Sequence, residues 1–414
     1  MTKLSGKIMM PASFSINQFI ANHVTFRGTS LFAADLAVHE TALRSQIAGR
    51  SVLVIGGAGT IGASFIRAML RFEPARLYVA DLNENGLTEL TRDLRSASGQ
   101  YVPADYKTYP ISFGSRTFER LLKQEGPFDI VAHFAAHKHV RSEKDRYSIE
   151  AMLENNVLNT VRLLDLLLEQ PPQHFFCVST DKAANPANVM GASKKLMEEA
   201  VLAYAALLPA TTARFANVAF SNGSLPAGFL ERMAKKQPLS APSDVLRYFV
   251  SPEESGELCL LACILGAPGD IFFPKLEAPQ MLTFSAIADA LLRELGYEPE
   301  PCATEAEARE KAATMDAGDK RWPVYYFESD TSGEKSFEEF YTDTEQVDWN
   351  RLQALGIVKG RAQHDVASIR AVCDDLRSLF EQPDLPKEAI VEVLTELVPT
   401  FHHVETGKGL DQKM

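Results

Sequence analysis

Apolar residues along this chain fall into short runs separated by stretches of helical spacing. Ser51 to Ile55 (SVLVI), Leu77 to Ala80, Ile130 to Phe134 and Phe175 to Val178 are short and almost wholly apolar. Runs of that length and character predict strands buried on both faces. Helical periods fill the intervals, as in Val157 to Leu168. Strands alternating with helices predict an α/β fold built on a doubly wound parallel sheet. From about residue 215 the pattern loosens, broken by Gly223, Pro226, Pro238, Pro242 and Pro252, and a smaller region covering the sheet is expected there. Residues 303–320 are rich in Glu, Ala and Lys and read as a solvated helix or insertion. Near the end, Ile369, Val372, Cys373, Leu376 and Phe380 recur at helical spacing, as do Ile390, Val393, Leu394, Leu397 and Phe401. These two amphipathic helices are expected to pack on their own chain, with a homo-oligomer contact as the alternative. The resulting division is a leader at 1–45, a sheet domain at 46–214, a smaller region at 215–349 and a helical extension at 350–414.

Composition narrows the function classes. A net charge of −12 over 414 residues argues against nucleic-acid binding, which needs a basic face. No run approaches the roughly 18 apolar residues of a membrane span, and the N-terminus lacks a signal-peptide pattern. The five cysteines, Cys177, Cys259, Cys263, Cys302 and Cys373, are odd in number and scattered, which is no disulfide framework. Cys259 and Cys263 read as core packing. The expected setting is reduced and cytoplasmic.

The candidate chemistry begins with Gly56-Gly57-Ala58-Gly59-Thr60-Ile61-Gly62, which follows a strand and opens a helix. Glycines permit a tight turn and close backbone approach to a pyrophosphate, and the helix N-terminus offers unpaired N–H donors. Asp81 ends the next strand, where a carboxylate can accept hydrogen bonds from the adenosine ribose. That makes the sheet domain a Rossmann-like, dinucleotide-binding one, with cofactor contacts expected from Gly56, Gly59, Ile61, Gly62 and Asp81. Asp81 would repel a 2′-phosphate, so NAD is expected over NADP.

The second cluster lies at Phe175 to Glu199 (FFCVSTDKAANPANVMGASKKLMEE), where a strand ends in Ser179-Thr180-Asp181-Lys182. Carboxyl ends of parallel strands are where ligands bind. Met190-x-x-x-Lys194 resembles the Tyr-x-x-x-Lys of short-chain dehydrogenases, with methionine in the tyrosine's place. Two histidines, His137 and His139, flank Lys138, but further ligands are not visible nearby, so no metal is expected.

Together these motifs resemble the nucleotide-sugar 4,6-dehydratases of the extended short-chain dehydrogenase superfamily, particularly the UDP-N-acetylglucosamine 4,6-dehydratases of polysaccharide biosynthesis. The resemblance runs from about Phe32 to about Trp349. It also draws on Arg214-Phe-Ala-Asn217, Gly223-Ser224, Arg247-Tyr-Phe249 and Gly333-Glu334-Lys335. It implies that C4 of a hexose is oxidised with NAD⁺ as acceptor, that C5–H thereby becomes acidic, and that the C6 hydroxyl leaves before the electrons return to C6. Lys182 would be the C5 base, Asp181 the acid on the C6 hydroxyl, and Lys194 would hold the nicotinamide ribose. Both Lys182 and Asp181 would need burial strong enough to push them toward their neutral forms against their mutual attraction. Met190 cannot move a proton, which leaves Thr180, a water or Lys194 through the ribose to take the 4-hydroxyl proton. Lys138, His139, Asn217 and Arg247 are the expected substrate contacts, with Arg247 and Lys335 as partners for a diphosphate. The sequence departs from the family at Arg141 to Tyr147 and in the third-strand region, Ile111 to Ser115. Rival readings are a nucleotide-sugar epimerase or oxidase on the same fold, and a non-catalytic dinucleotide-binding protein.

Overall fold

A computed structural model describes residues 14–403 apart from residue 317, so the first part of the expected leader and the chain beyond 403 lie outside the described residues. Nine strands form the main sheet: β1 Ser51–Ile55, β2 Arg76–Ala80, β3 Asp105–Tyr109, β4 Ile130–His133, β5 His174–Val178, β6 Ala210–Ala213, β7 Asp270–Pro274, β8 Val347–Asp348 and β9 Leu355–Lys359. Their order is β8-β9-β7-β6-β5-β4-β1-β2-β3. The seven strands from β7 to β3 are parallel, and β9 and β8 add antiparallel. The order reverses between β1 and β4, which opens a crevice at their carboxyl ends.

The helices that matter for the site are α1 Ala33–Ile47, α2 Thr60–Leu70, α3 Asn159–Glu169, α4 Val189–Tyr204, α5 Pro252–Leu265, α6 Val366–Phe380 and α7 Lys387–Leu397. Side chains alternate across a strand, and β1 shows the consequence. Val52 and Val54 enter a core with α1, α2 and α5, while Leu53 and Ile55 enter a second core with α3 and α4. In the first core Gly256 lets α5 lie directly on α2, because a Cβ there would collide with the backbone of Ser64. Cys259 and Cys263 pack in the same layer, and all five cysteines are buried and free. A third core, containing Phe19, Phe229, Leu291 and Trp322, belongs to the smaller region and its parallel strands Leu239–Pro242, Glu298–Cys302 and Arg321–Phe327.

Several sequence boundaries shift. The third strand is Asp105–Tyr109, and Ile111 to Ser115 is the loop that follows it. Its residues DYKTY are nowhere fully buried, because β3 is the sheet edge. The sheet continues past residue 214 into β7 and β9, and α1 runs past residue 45 with Leu43 and Ile47 in the first core. The amphipathic C-terminal helices pack on their own chain. Ile369, Cys373, Leu376, Ile390, Leu394 and Phe401 all enter the second core. Among the described residues no helix is long and apolar enough to cross a membrane.

Candidate active site

The glycine turn lies between β1 and α2, in the crevice. Gly56 has φ +78°, in the left-handed region, and a Cβ there would collide with the backbone of Ala135. A Cβ on Gly62 would collide with the carbonyl oxygen of Gly56. Gly59 differs: a Cβ there would have only Gly56 O near it, at 3.5 Å. The fold therefore requires Gly56 and Gly62, whereas Gly59 leaves room in front of the α2 N-terminus. Asp81 accepts from Ala58 N at 3.0 Å through Oδ2 and from Asn83 N at 2.8 Å through Oδ1, so it both shapes the turn and stays partly exposed beside it. A cleft of about 310 Å³ opens here, lined by Gly59, Ile61, Asp81, Phe113 and Lys138 among others. Lys138 Nζ donates to Asn222 O at 2.9 Å, and Asn222 N donates to Thr60 Oγ1 at 2.9 Å. This chain of bonds ties the 220–223 loop across the mouth of the glycine turn. His139 lies on the same loop as Lys138, with its ring over Gly223.

The acid–base candidates follow β5. Ser179 leaves the strand with its hydroxyl donating to Glu198 at 2.6 Å. Glu198 is fully buried and held by Arg214 at 2.8 Å, and Arg214 is held in turn by Glu345 at 2.7 Å. This network fixes the strand end from beneath and gives Arg214 of the Arg-Phe-Ala-Asn motif a structural role. Thr180 starts a short turn at Asp181–Ala183, and its Oγ1 donates to Asp181 Oδ1 at 2.8 Å. Asp181 Oδ1 also receives Lys182 N at 2.9 Å and Lys182 Nζ at 3.1 Å. Lys194 is buried, donates to Val178 O at 2.9 Å and has its ammonium pushed down by burial. Met190 is 3% exposed and belongs to the apolar second core.

The structure corrects one expectation about Lys182. Burial alone would lower its pKa, but Asp181 and a second carboxylate, Glu338, raise it above the ordinary lysine value. Glu338 Oε1 stands 3.5 Å from Lys182 Nζ and is itself 4% exposed. Two opposite charges outweigh desolvation, so the ammonium form is favoured rather than the neutral amine.

Glu338 is carried by a segment laid across the loop that follows β5. Asn188 Nδ2 donates to Gly333 O at 2.8 Å, and Asn185 Nδ2 donates to Glu339 Oε2 at 2.9 Å. Arg247 clamps the segment from the other side. Its Nη1 donates to the carbonyls of Leu246 and Lys335 at 2.8 and 3.0 Å, while Nη2 faces Glu334 at 3.5 Å and Glu338 at 3.8 Å. In this arrangement Arg247 serves the protein rather than a phosphate. Lys335 pairs with Glu339 at 3.9 Å. Asn217 fits a ligand-binding role better, because its amide nitrogen is buried with no hydrogen-bond partner among the described residues.

Two further groups escaped sequence reasoning. Asn156 sits in a π-helical turn, Glu154–Leu158, at the head of α3. It accepts from His137 N at 2.9 Å and donates to His137 O at 2.9 Å and Ser193 Oγ at 3.0 Å. It thus joins the loop after β4 to α4, and such turns often mark functional sites. Glu143, within the divergent Arg141 to Tyr147 stretch, accepts from Val189 N at 2.7 Å at the head of α4 and pairs with His403. His402 N donates to Pro186 O at 3.0 Å, so the C-terminal extension also rests on the loop after β5.

Comparison with known proteins gives a consistent picture. The family model described as polysaccharide biosynthesis protein matches residues 52–358. The chain is 32% identical over 259 residues to an uncharacterized membrane protein of Methanocaldococcus jannaschii, covering 61% of this chain and 74% of that one. It is 28% identical over 261 residues to the probable polysaccharide biosynthesis protein EpsC of Bacillus subtilis, covering 62% of this chain but 43% of that one. It is 24% identical over 302 residues to a UDP-N-acetylglucosamine 4,6-dehydratase (inverting) of Campylobacter jejuni, covering 71% and 82%. Among solved structures, DesIV, a dTDP-glucose 4,6-dehydratase from Streptomyces venezuelae with NAD and TYD bound, superposes with a TM-score of 0.54 at 20% identity, covering 79% of this chain and 97% of that one. That likeness establishes the Rossmann-like fold.

Proposed function

The chain belongs to the polysaccharide biosynthesis protein family, and from that premise we propose that it is an NAD-dependent nucleotide-sugar 4,6-dehydratase acting on a UDP-N-acetylhexosamine. The observation that carries the proposal is the Asp181–Lys182 pair, a buried carboxylate and a partly buried lysine, which follows a parallel strand beside a dinucleotide-type glycine turn. An epimerase or simple oxidase needs no such acid and base for elimination. The space before Gly59 and the N-terminus of α2 suit a pyrophosphate, and the Asp81 carboxylate disfavours a 2′-phosphate. When bound, the cofactor supplies reversible two-electron oxidation of the sugar at C4.

The protein's own groups account for the rest. Lys194 is fixed beneath the strand end, where it can orient a ribose hydroxyl. Once C4 is a ketone, Lys182 takes the proton from C5 and Asp181 gives a proton to the departing C6 oxygen. In this reading the Thr180 hydroxyl, which donates to Asp181, relays the 4-hydroxyl proton. Lys138, His139 and Asn217 are the substrate contacts of this reading. Arg247 would contact the diphosphate only if its bonds to the 333–338 segment rearranged.

Incubation with a panel of nucleotide sugars, read by mass spectrometry, tests the proposal. The expected product is lighter than its substrate by one water. Lys182→Ala should abolish both this product and exchange of C5–H with deuterated solvent, while Asp181→Asn should slow elimination yet keep some exchange. Near wild-type dehydration by both variants would refute the assignment, and an isobaric product would indicate epimerisation.

A further inference from the structure

Five charged groups from three parts of the chain converge on one buried point. Asp181 and Lys182 come from the turn after β5, Arg247 from the short strand Leu246–Arg247, and Glu334 and Glu338 from the segment laid over both. Lys182 has Asp181 on one side at 3.1 Å and Glu338 on the other at 3.5 Å. Asp181 is already committed to the turn, since one oxygen holds Thr180 Oγ1, Lys182 N and Lys182 Nζ. Glu338 is not tied in the same way. Its interactions are with two cations, Lys182 and Arg247, and it rides on a segment attached to the catalytic loop chiefly through Asn185 and Asn188. Burial at 4% exposure pushes the Glu338 carboxyl up toward its neutral form, and Lys182 and Arg247 oppose that shift.

From this geometry we infer that Glu338 is a positioning residue that keeps Lys182 charged and pinned, so that Lys182 becomes a base only when the sugar nucleotide parts the two. The inference rests on the dehydratase reading and deepens it by assigning control of the base. A sugar whose C5 approaches Lys182 Nζ competes for space with Glu338. Separating the pair removes one of two charges that favour the ammonium, so the proton can leave to solvent and the amine is freed next to C5. No bond to the sugar forms in this step; one N–H bond of Lys182 breaks and the proton passes to water. The charged groups facing Lys182 and Glu338 are Asp181, Arg247 and Lys335, with Glu334 on the far side of Arg247, and of these groups Glu338 is the one that pairs with Lys182 from the overlying segment.

The test is the pH profile of kcat/KM for C5–H exchange in Glu338→Gln, which reports the free enzyme, where Glu338 and Lys182 are still together. Removing an opposite charge within about 4 Å lowers the lysine pKa by roughly one unit or more. The acid limb of the profile should therefore move about one pH unit lower than in the unmodified enzyme, and Glu338→Asp should move it back. A purely structural role would reduce the rate and leave the limb where it was, and that outcome would overturn the inference. A second measurement needs no turnover. The pH dependence of Lys182 acetylation by acetic anhydride, read by peptide mass spectrometry in the full chain without substrate, should show the same downward shift in Glu338→Gln. If the unmodified protein dehydrates no nucleotide sugar, the dehydratase reading fails while the labelling experiment still decides whether Glu338 holds the Lys182 proton. Equal labelling curves for a folded Glu338→Gln and the unmodified protein would refute it.

Discussion

At Met190 the side chain packs among the apolar residues of the second core, while its carbonyl accepts from Ser193 Oγ at 2.7 Å. It fills volume and takes no part in proton movement. Met190→Ala should cost about 2–4 kcal/mol in denaturant unfolding, the usual range for emptying such a site. The variant should still reduce bound dinucleotide in a single turnover. Thr180→Val should do the reverse. It keeps the volume, removes the hydroxyl that donates to Asp181, and should slow that single turnover while unfolding nearly as the parent does. A normal rate in Thr180→Val would leave water or the Lys194–ribose path to carry the proton. That Thr180, Asp181 and Lys182 lie together was legible in the sequence because a strand end puts consecutive residues in one place. Glu338 was not: it stands beside Glu339 far along the chain, in a stretch without periodicity, and a glutamate pair there reads as a solvated face. Asn156 was hidden for another reason, since a π turn rotates a side chain out of the helical register on which periodicity depends.

The strand–turn–helix unit of β1 and α2 separates two reasons for a glycine. Gly56 and Gly62 are demanded by the chain's own backbone, whereas Gly59 is open on the protein side. Gly62→Ala should therefore destabilise the fold by about 1–3 kcal/mol through overpacking. Gly59→Ala should cost about 1 kcal/mol or less, the scale of an N-cap change, while weakening dinucleotide binding at least about tenfold by blocking close approach. Thermal melts and calorimetric titration with NAD of both variants check this. The sequence pattern revealed β1, β2, β4 and β5 because each is buried on both faces. It missed β3, a polar edge strand, and it missed β7 and β9, whose apolar runs lie where prolines and glycines had already broken the alternation of strand and helix.

Over the whole molecule the two-sided sheet buries ionisable groups whose charge state follows folding. His133 at the end of β4 is 1% exposed, packs 4.5 Å from the Phe113 ring and lies 3.3 Å from Thr160 Oγ1. Burial, and secondarily the charge of Lys194, lowers its pKa from 6.5 to about 3. The unfolded chain then binds a proton that the native protein refuses between those values, so stability falls as pH drops through that window. The slope approaches about 1.4 kcal/mol per pH unit. His133→Gln should flatten the decline between about pH 6 and 5, measured by urea unfolding. Glu198, held below the ordinary carboxylate range by Arg214, adds its own loss only under more acidic conditions. The extension's amphipathic helices were visible as a pattern, but the contact of the chain just beyond them with the loop after β5 was not, because Pro186 and His402 meet through backbone atoms that carry no sequence signal. That contact bears on synthesis. The loop carrying Asp181 and Lys182 is synthesised well before the His402 segment that braces it. A nascent or prematurely stopped polypeptide would hold Asp181 and Lys182 without the support that sets them, so turnover should begin only once translation has run past Phe401.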